Sequence, residues 1–294
     1  MLDYPALGAV AAIVREGSFE RAAGALGITP SAISQRVRGL EERLGAILII
    51  RTQPCQPTDL GRTLLAHLDK VRLLEADLAP ALGIGPAGGM PTLRMAVNAD
   101  SLATWFPAAA AGFGRDGGVS LDLILDDEGH TADRLRSGEV LAAVTADPGP
   151  VPGCRTLPLG ALRYAACASP AFVARHFPHG MDAAALALAP VLRFNHQDRL
   201  QARFAAMVCG SEALGPVHAV PSTHAFLDLA IAGLAWGLQP VDLAAPHLAA
   251  GRLAEIEPGR LLDVDLFWTV SRLPSAALTG LTKHVRAAAR ERLR

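Results

Sequence analysis

The chain has 294 residues, of which 51% are hydrophobic, and a formal net charge of −1. At about 150 residues per domain this is the length of roughly two domains with ample core material, and no apolar run is long enough to span a bilayer. The near-neutral balance excludes a nucleic-acid partner held by a global field, but a local reading surface needs only a few placed cations.

The opening "MLDYPALGAV" has neither a basic n-region nor a cleavage site, so a cytoplasmic protein without membrane association is expected. The four cysteines are scattered with no C-x-x-C pair, which argues against a zinc ribbon or a disulfide frame. His176 and His179 sit three apart, but no cysteine or carboxylate flanks them at ligand spacing, and neither a metal nor a cofactor is expected.

In chain order, the first informative stretch is "SFERAAGALGITPSAISQRV", Ser18 to Val37. It holds two short amphipathic helical patterns split at Gly27, a residue that tolerates a left-handed turn. Thr29 is placed to cap the second helix, with Pro30 in its first turn. At 100° per residue, Ile33, Val37, Leu40 and Leu44 form one stripe, while Ser31, Gln35 and Arg38 gather opposite with Ser34 at the side. Two crossed helices on a tight turn, the second with short polar side chains at its start, read as a helix-turn-helix. An ordinary αα-hairpin is the alternative that these residues leave open.

Next comes "AILIIRTQPCQPT", a β-prone hairpin predicted to form a wing with Arg51 and Gln53 near its tip. Thr58 caps a further helix in which Leu60, Leu64, Leu68, Val71, Leu74 and Leu78 recur at steps of four and three, a seam suited to pairing two copies. "LGIGPAGGMPT", Leu82 to Thr92, is rich in Gly and Pro and reads as a hinge. Beyond it, apolar runs such as "TLRMAVN", "SLDLILDD" and "LAAVTAD" alternate with helical stretches, which predicts βαβ units and a mostly parallel sheet.

Together these segments closely resemble the LysR-type transcriptional regulators, and the resemblance runs over essentially the whole chain. "GSFERAAGALGITPSAISQRVRGLEERLGAILIIRTQPCQPTDLG" is similar to the winged helix-turn-helix of that family. "VNADSLATWF", "RLRSGEVLAAVT", "VPGCRTLPLGALRY" and "LAIAGLAWGLQP" resemble the branch that controls arginine and lysine export. The resemblance implies an N-terminal, all-α winged helix-turn-helix at 1–60 and a dimerisation helix with hinge at 61–91. It also implies a C-terminal α/β effector domain at 92–294, built like a two-lobed periplasmic binding protein. Lobe I is expected at about 92–162 and 267–294, and lobe II at about 163–266.

By the same resemblance, Thr29, Pro30, Ser31, Ser34, Gln35 and Arg38 meet an operator in double-stranded DNA, and Arg51 and Gln53 touch it from the wing. Glu41 and Glu42 would repel phosphate, so contacts should stop near Arg38. Many relatives carry Gln-Pro where this chain has Pro30-Ser31, and Arg at the place of Gln35, so a different operator is expected. A homodimer or dimer-of-dimers tetramer, contact with RNA polymerase, and a small-molecule effector, L-lysine or L-arginine, are implied as well.

In open α/β sheets ligands sit at the carboxyl ends of strands. That rule selects Asn98, Asp100, Ser101 and Thr104 after the first effector-domain strand, and the acidic run Asp126, Asp127 and Glu128 after the second. It also selects Thr145, then Asn195 and His196, then Ser222, Thr223 and His224. Ser101 could instead cap its helix, and Trp105 and Trp236 are expected to pack the lobe interiors. The branch often has a glutamate at the place of His224; a histidine there could favour another amino acid as effector, or leave the cationic end to be met by the acidic run alone. No nucleophile elbow, dinucleotide fingerprint, P-loop or H-E-x-x-H motif occurs, which argues against an enzyme.

Overall fold

The structure is a computed structural model describing residues 2–83, 90–125 and 131–294. Six residues of the expected hinge, 84–89, lie outside the described residues. The N-terminal unit is built from α1 (Tyr4–Glu16), α2 (Phe19–Leu26) and α3 (Pro30–Leu44), each ended by a glycine in the left-handed region. Asp3, Ser18 and Thr29 cap them by accepting the amides of Ala6, Arg21 and Ala32. The turn at Gly27 (φ 64°) joins α2 to α3 as its sequence requires. Ile33, Val37 and Leu40 are buried with Leu7, Val10 and Ile13 of α1 in one core, each such side chain contributing about 1.5–3 kcal/mol. Leu44, the expected end of that stripe, is exposed.

The wing is a short antiparallel pair, β1 (Ile49–Ile50) and β2 (Gln56–Pro57). Among the bonds that tie it down, Cys55 N–H donates to Gly17 O, and Leu48 N–H donates to Glu41 Oε1 at 2.7 Å. The linker helix α4 (Asp59–Leu82) follows, capped by Thr58. Its seam divides along its length. Leu68 is buried in the core of the winged unit, whereas Leu60 and Leu78 are 39% and 60% exposed. Leu73, outside the seam, is fully buried in the effector-domain core.

The effector domain begins with β3 (Thr92–Val97), α5 (Ala99–Ala103), α6 (Phe106–Asp116), β4 (Ser120–Leu125), α7 (Thr131–Ser137) and β5 (Ala142–Thr145). A long strand, β6 (Cys154–Ala168), leads to α8 (Pro170–His176), α9 (Ala183–Leu188), β7 (Val191–Arg193), α10 (Leu200–Cys209) and β8 (Val217–Ala219). The chain continues through α11 (Thr223–Ile231), β9 (Gly237–Pro240), α12 (Val241–Ala249), β10 (Ala254–Glu255), β11 (Leu261–Ser271) and α13 (Ala276–Arg292).

The main sheet runs β10-β6-β11-β5-β3-β4, with β9 also on β6. Only part of it is parallel. β3 pairs in parallel with β4 and β5, but β11 is antiparallel to β5 and β6, and β9 and β10 are antiparallel to β6. The expectation of a mostly parallel sheet therefore fails in the middle of the domain, where β6 and β11 cross between two lobes in opposite directions. Their register shifts between Leu266 and Phe267, a β-bulge or irregularity in the pairing. β7 and β8 form a small parallel sheet in the second lobe, joined by a bridge from Val191 to Trp236. Trp105 and Trp236 are buried inside, as their sequence context implies.

Candidate functional site

Two surfaces carry the residues that the sequence singled out. The first is the outer face of α3. Ser31, Gln35 and Arg38 are exposed and Ser34 is half-buried beside them, while Ile33, Val37 and Leu40 anchor the opposite face. Thr29 combines a cap with a side-chain bond to Ser31 (Oγ1 to Oγ 3.0 Å), which holds the start of the helix rigid. Arg51 and Gln53 are exposed on the wing, and the Arg51 guanidinium lies 4.6 Å over the Phe19 ring. Glu41 faces inward onto the wing amides and so fastens β1.

The second surface is a cleft of about 190 Å³ between the lobes, with Asn98, Asp100, Tyr164, Asn195, Asp198 and Arg203 in its wall. Asp100 is its centre. Thr223 Oγ1 donates to Asp100 Oδ1 at 2.7 Å from the second lobe, and Tyr164 Oη donates to Oδ2 at 2.8 Å from β6. One carboxylate thus links the first lobe, the crossing strand and the second lobe. Burial pushes the Asp100 carboxyl above the usual carboxylate range; the two hydroxyls oppose the shift and the Asp198 carboxylate adds to it. Asp198 is held by the amides of Phe194 and Leu200, both at 2.9 Å, and its own amide is met by Asn195 Oδ1. Arg199 and Arg203 bring positive charge to the rim, and Arg199 pairs with Glu212.

The remaining expected residues divide by position. Asn98, and not Ser101, caps α5, accepting the Ser101 amide at 2.9 Å. Ser101 has no exposed surface, and its Oγ accepts from Trp105 Nε1 at 3.0 Å. Thr104 Oγ1 donates to the Asp100 carbonyl. Both hydroxyls stabilise the local turn and leave the cleft wall to Asn98 and Asp100. Thr145 Oγ1 accepts the Asp147 amide, and its neighbour Ala146 reaches the cleft. Ser222 caps α11, and His196 and His224 are exposed. The acidic run Asp126, Asp127 and Glu128 lies outside the described residues.

Tyr164, Asp198, Arg199 and Arg203 were missed from the sequence. The run "QDRLQAR", with acid and base close together just after a strand end, carried a usable signal. Among the described residues, no group of three or more His, Cys, Asp and Glu is placed to hold a metal, and no helix is long and apolar enough to cross a membrane.

Comparison with known proteins places this geometry. Residues 86–293 match the LysR substrate binding domain, and residues 5–62 match the bacterial regulatory helix-turn-helix protein, lysR family. The chain belongs to the LysR family of transcriptional regulators. Like other members, this LysR-type protein is a DNA-binding regulator with a helix-turn-helix followed by an effector-domain fold. It is 46% identical to the HTH-type transcriptional regulator ArgP of Pseudomonas aeruginosa, over 98% of this chain and 96% of that one. The crystal structure of ArgP from Mycobacterium tuberculosis superposes with a TM-score of 0.80 at 42% identity, covering 100% of this chain and 99% of the other. Full-length LysG from Corynebacterium glutamicum with bound effector Arg gives a TM-score of 0.68 at 39% identity, with both chains fully covered.

Proposed function

We propose that this LysR-type regulator reads a specific operator and answers to a basic amino acid, L-lysine or L-arginine, controlling a gene for amino-acid export. The observation that carries the effector class is the half-buried Asp100 carboxylate, with Asp198 beside it, in a cleft rimmed by Arg199 and Arg203. An α-amino acid with a cationic side chain matches that arrangement, its carboxylate toward the arginines and a cation toward Asp100. The bound arginine in the related LysG supports the same class.

On the DNA side, Ser31, Ser34, Gln35 and Arg38 enter the major groove, with Thr29 and Pro30 against the backbone and Arg51 and Gln53 on the flank. Asn98, Asp100, Asn195 and Thr223 contact or shape the effector site, and Thr145, His196, Ser222 and His224 stand around it. The DNA-binding unit takes 1–60, the dimerisation helix and hinge 61–91 and the effector domain 92–294, with lobe I at about 92–162 and 267–294 and lobe II at about 163–266. A homodimer paired through α4, or a tetramer of two such dimers, acts on RNA polymerase in the cytoplasm.

Calorimetry on the full chain with L-lysine, L-arginine and neutral amino acids tests the effector class. Saturable binding by the basic amino acids is expected, together with a changed footprint on DNA selected by the protein from a random pool. Equal binding of neutral amino acids would remove the basic-effector reading.

A further inference from the structure

Beside the main cleft, and sharing Asp100, Phe194, Asp198 and Leu200 with it, lies a chamber of about 20 Å³. That is room for a single water-sized group. Two glutamines face it, Gln201 from the first turn of α10 and Gln239 from β9. They are 1% and 0% exposed, yet Gln201 Oε1 and both Gln239 side-chain atoms have no hydrogen-bond partner. Buried amides left unpaired cost stability, so their retention at one small chamber points to a visitor that supplies the missing partners.

The wall indicates the visitor's charge. Asp100 and Asp198 both border the chamber, and no cationic side chain does so among the described residues. Asp198 is compensated by two backbone amides, whereas the two hydroxyls on Asp100 carry no full charge. An anion is excluded by the carboxylates, and a cation with several donors is favoured.

We propose that this chamber receives the side-chain ammonium of lysine, bound by Gln201 Oε1, Gln239 Oε1 and the Asp100 carboxylate. Three acceptors match the three donors of an ammonium, and the chamber matches its size. A guanidinium, planar and carrying five N–H donors, is too large for the space and stays in the outer cleft. The chamber makes this regulator a lysine sensor that binds arginine less tightly, with Gln239 and Gln201 as the residues that discriminate. This assignment rests on the basic-amino-acid reading above.

The test is calorimetry on the full chain with L-lysine, L-arginine and L-norleucine, which keeps lysine's carbon chain without the ammonium, for wild type, Gln201→Leu and Gln239→Leu. Wild type is expected to bind lysine about tenfold or more tighter than arginine and norleucine negligibly. Gln239→Leu should lower lysine affinity about tenfold while arginine changes little. A chamber that holds only water gives equal lysine and arginine affinities in wild type, which overturns the assignment and leaves the sensor reading intact. Equal losses for both amino acids in Gln239→Leu also overturn it. Failure of wild type to bind either basic amino acid overturns the sensor reading and this assignment together. Ligand-free melting separates a binding role from a structural one: Gln239→Leu should melt at or above wild type, because it removes unpaired polar atoms from a buried site.

Discussion

Asp100 is held between two hydroxyls in a place where a carboxylate is poorly solvated, and this sets a testable pH behaviour. Its folded-state pKa is raised, so the stability it contributes is fully present below the unfolded pKa and is lost as pH rises through the folded pKa. Asp100→Asn keeps the shape and removes the poorly solvated charge. The ligand-free variant should therefore melt above wild type at neutral pH, and the gap should close on acidification into the carboxylate range. The same variant should lose basic-amino-acid binding by calorimetry; a variant that melts below wild type at neutral pH would contradict the assigned direction. On α3, Gln35→Ala should cost about 1–3 kcal/mol of discrimination between operator and random DNA and leave the melting temperature near wild type. Competition binding measures this directly, and an unchanged ratio would move Gln35 off the base edges. The polar face of α3 was legible because a helix with one buried stripe fixes where its other side chains go. Ser101 and Thr104 were not resolved from Asp100 in the same way. In a turn of short polar residues, sequence cannot tell which hydroxyl bonds locally and which side chain faces a ligand. Gln239 was hidden for a related reason, since one polar residue in an apolar strand announces neither a partner nor the lack of one.

At the scale of elements, the join between wing and linker helix leaves no room for a side chain at Gly61. A Cβ on Gly61 would lie 2.3 Å from the Leu48 carbonyl oxygen, the same oxygen that accepts from the Thr58 amide. Gly61→Ala must displace either β1 or the start of α4, and a loss of about 1–3 kcal/mol is expected. A lower melting temperature with weakened DNA binding and intact effector binding checks it; unchanged DNA binding would show that the join is not needed for reading. The helical patterns around Gly27 and Gly45 were readable because caps and left-handed glycines are local signals. The antiparallel run of β6 and β11 was not, since strand direction depends on residues about a hundred positions apart in sequence. The α4 seam was legible as a spacing, but not its division. Leu68 turns into the chain's own core, and Leu60 and Leu78 remain available to a second copy.

For the whole molecule, the linker helix grips the first lobe at several points. Asp77 Oδ2 accepts the amide of Ala276 at 2.8 Å and so caps α13 from outside, doing what Ser275, whose Oγ is buried and unpartnered, does not do. Asp69 is half-buried near the Arg94–Asp122 pair, and Lys70 lies against Gly138. Asp77→Ala should cost about 0.5–2 kcal/mol as a lost cap and leave lysine and arginine affinities unchanged. If the junction carries the signal, the same variant should show a smaller effector-induced change in its DNA footprint; a full change would show that this bond only stabilises. Ala276, Arg94, Asp122 and Gly138 all belong to the lobe that also supplies Asp100. A second lobe closing on an amino acid therefore swings about a frame to which the DNA-reading half is already fixed.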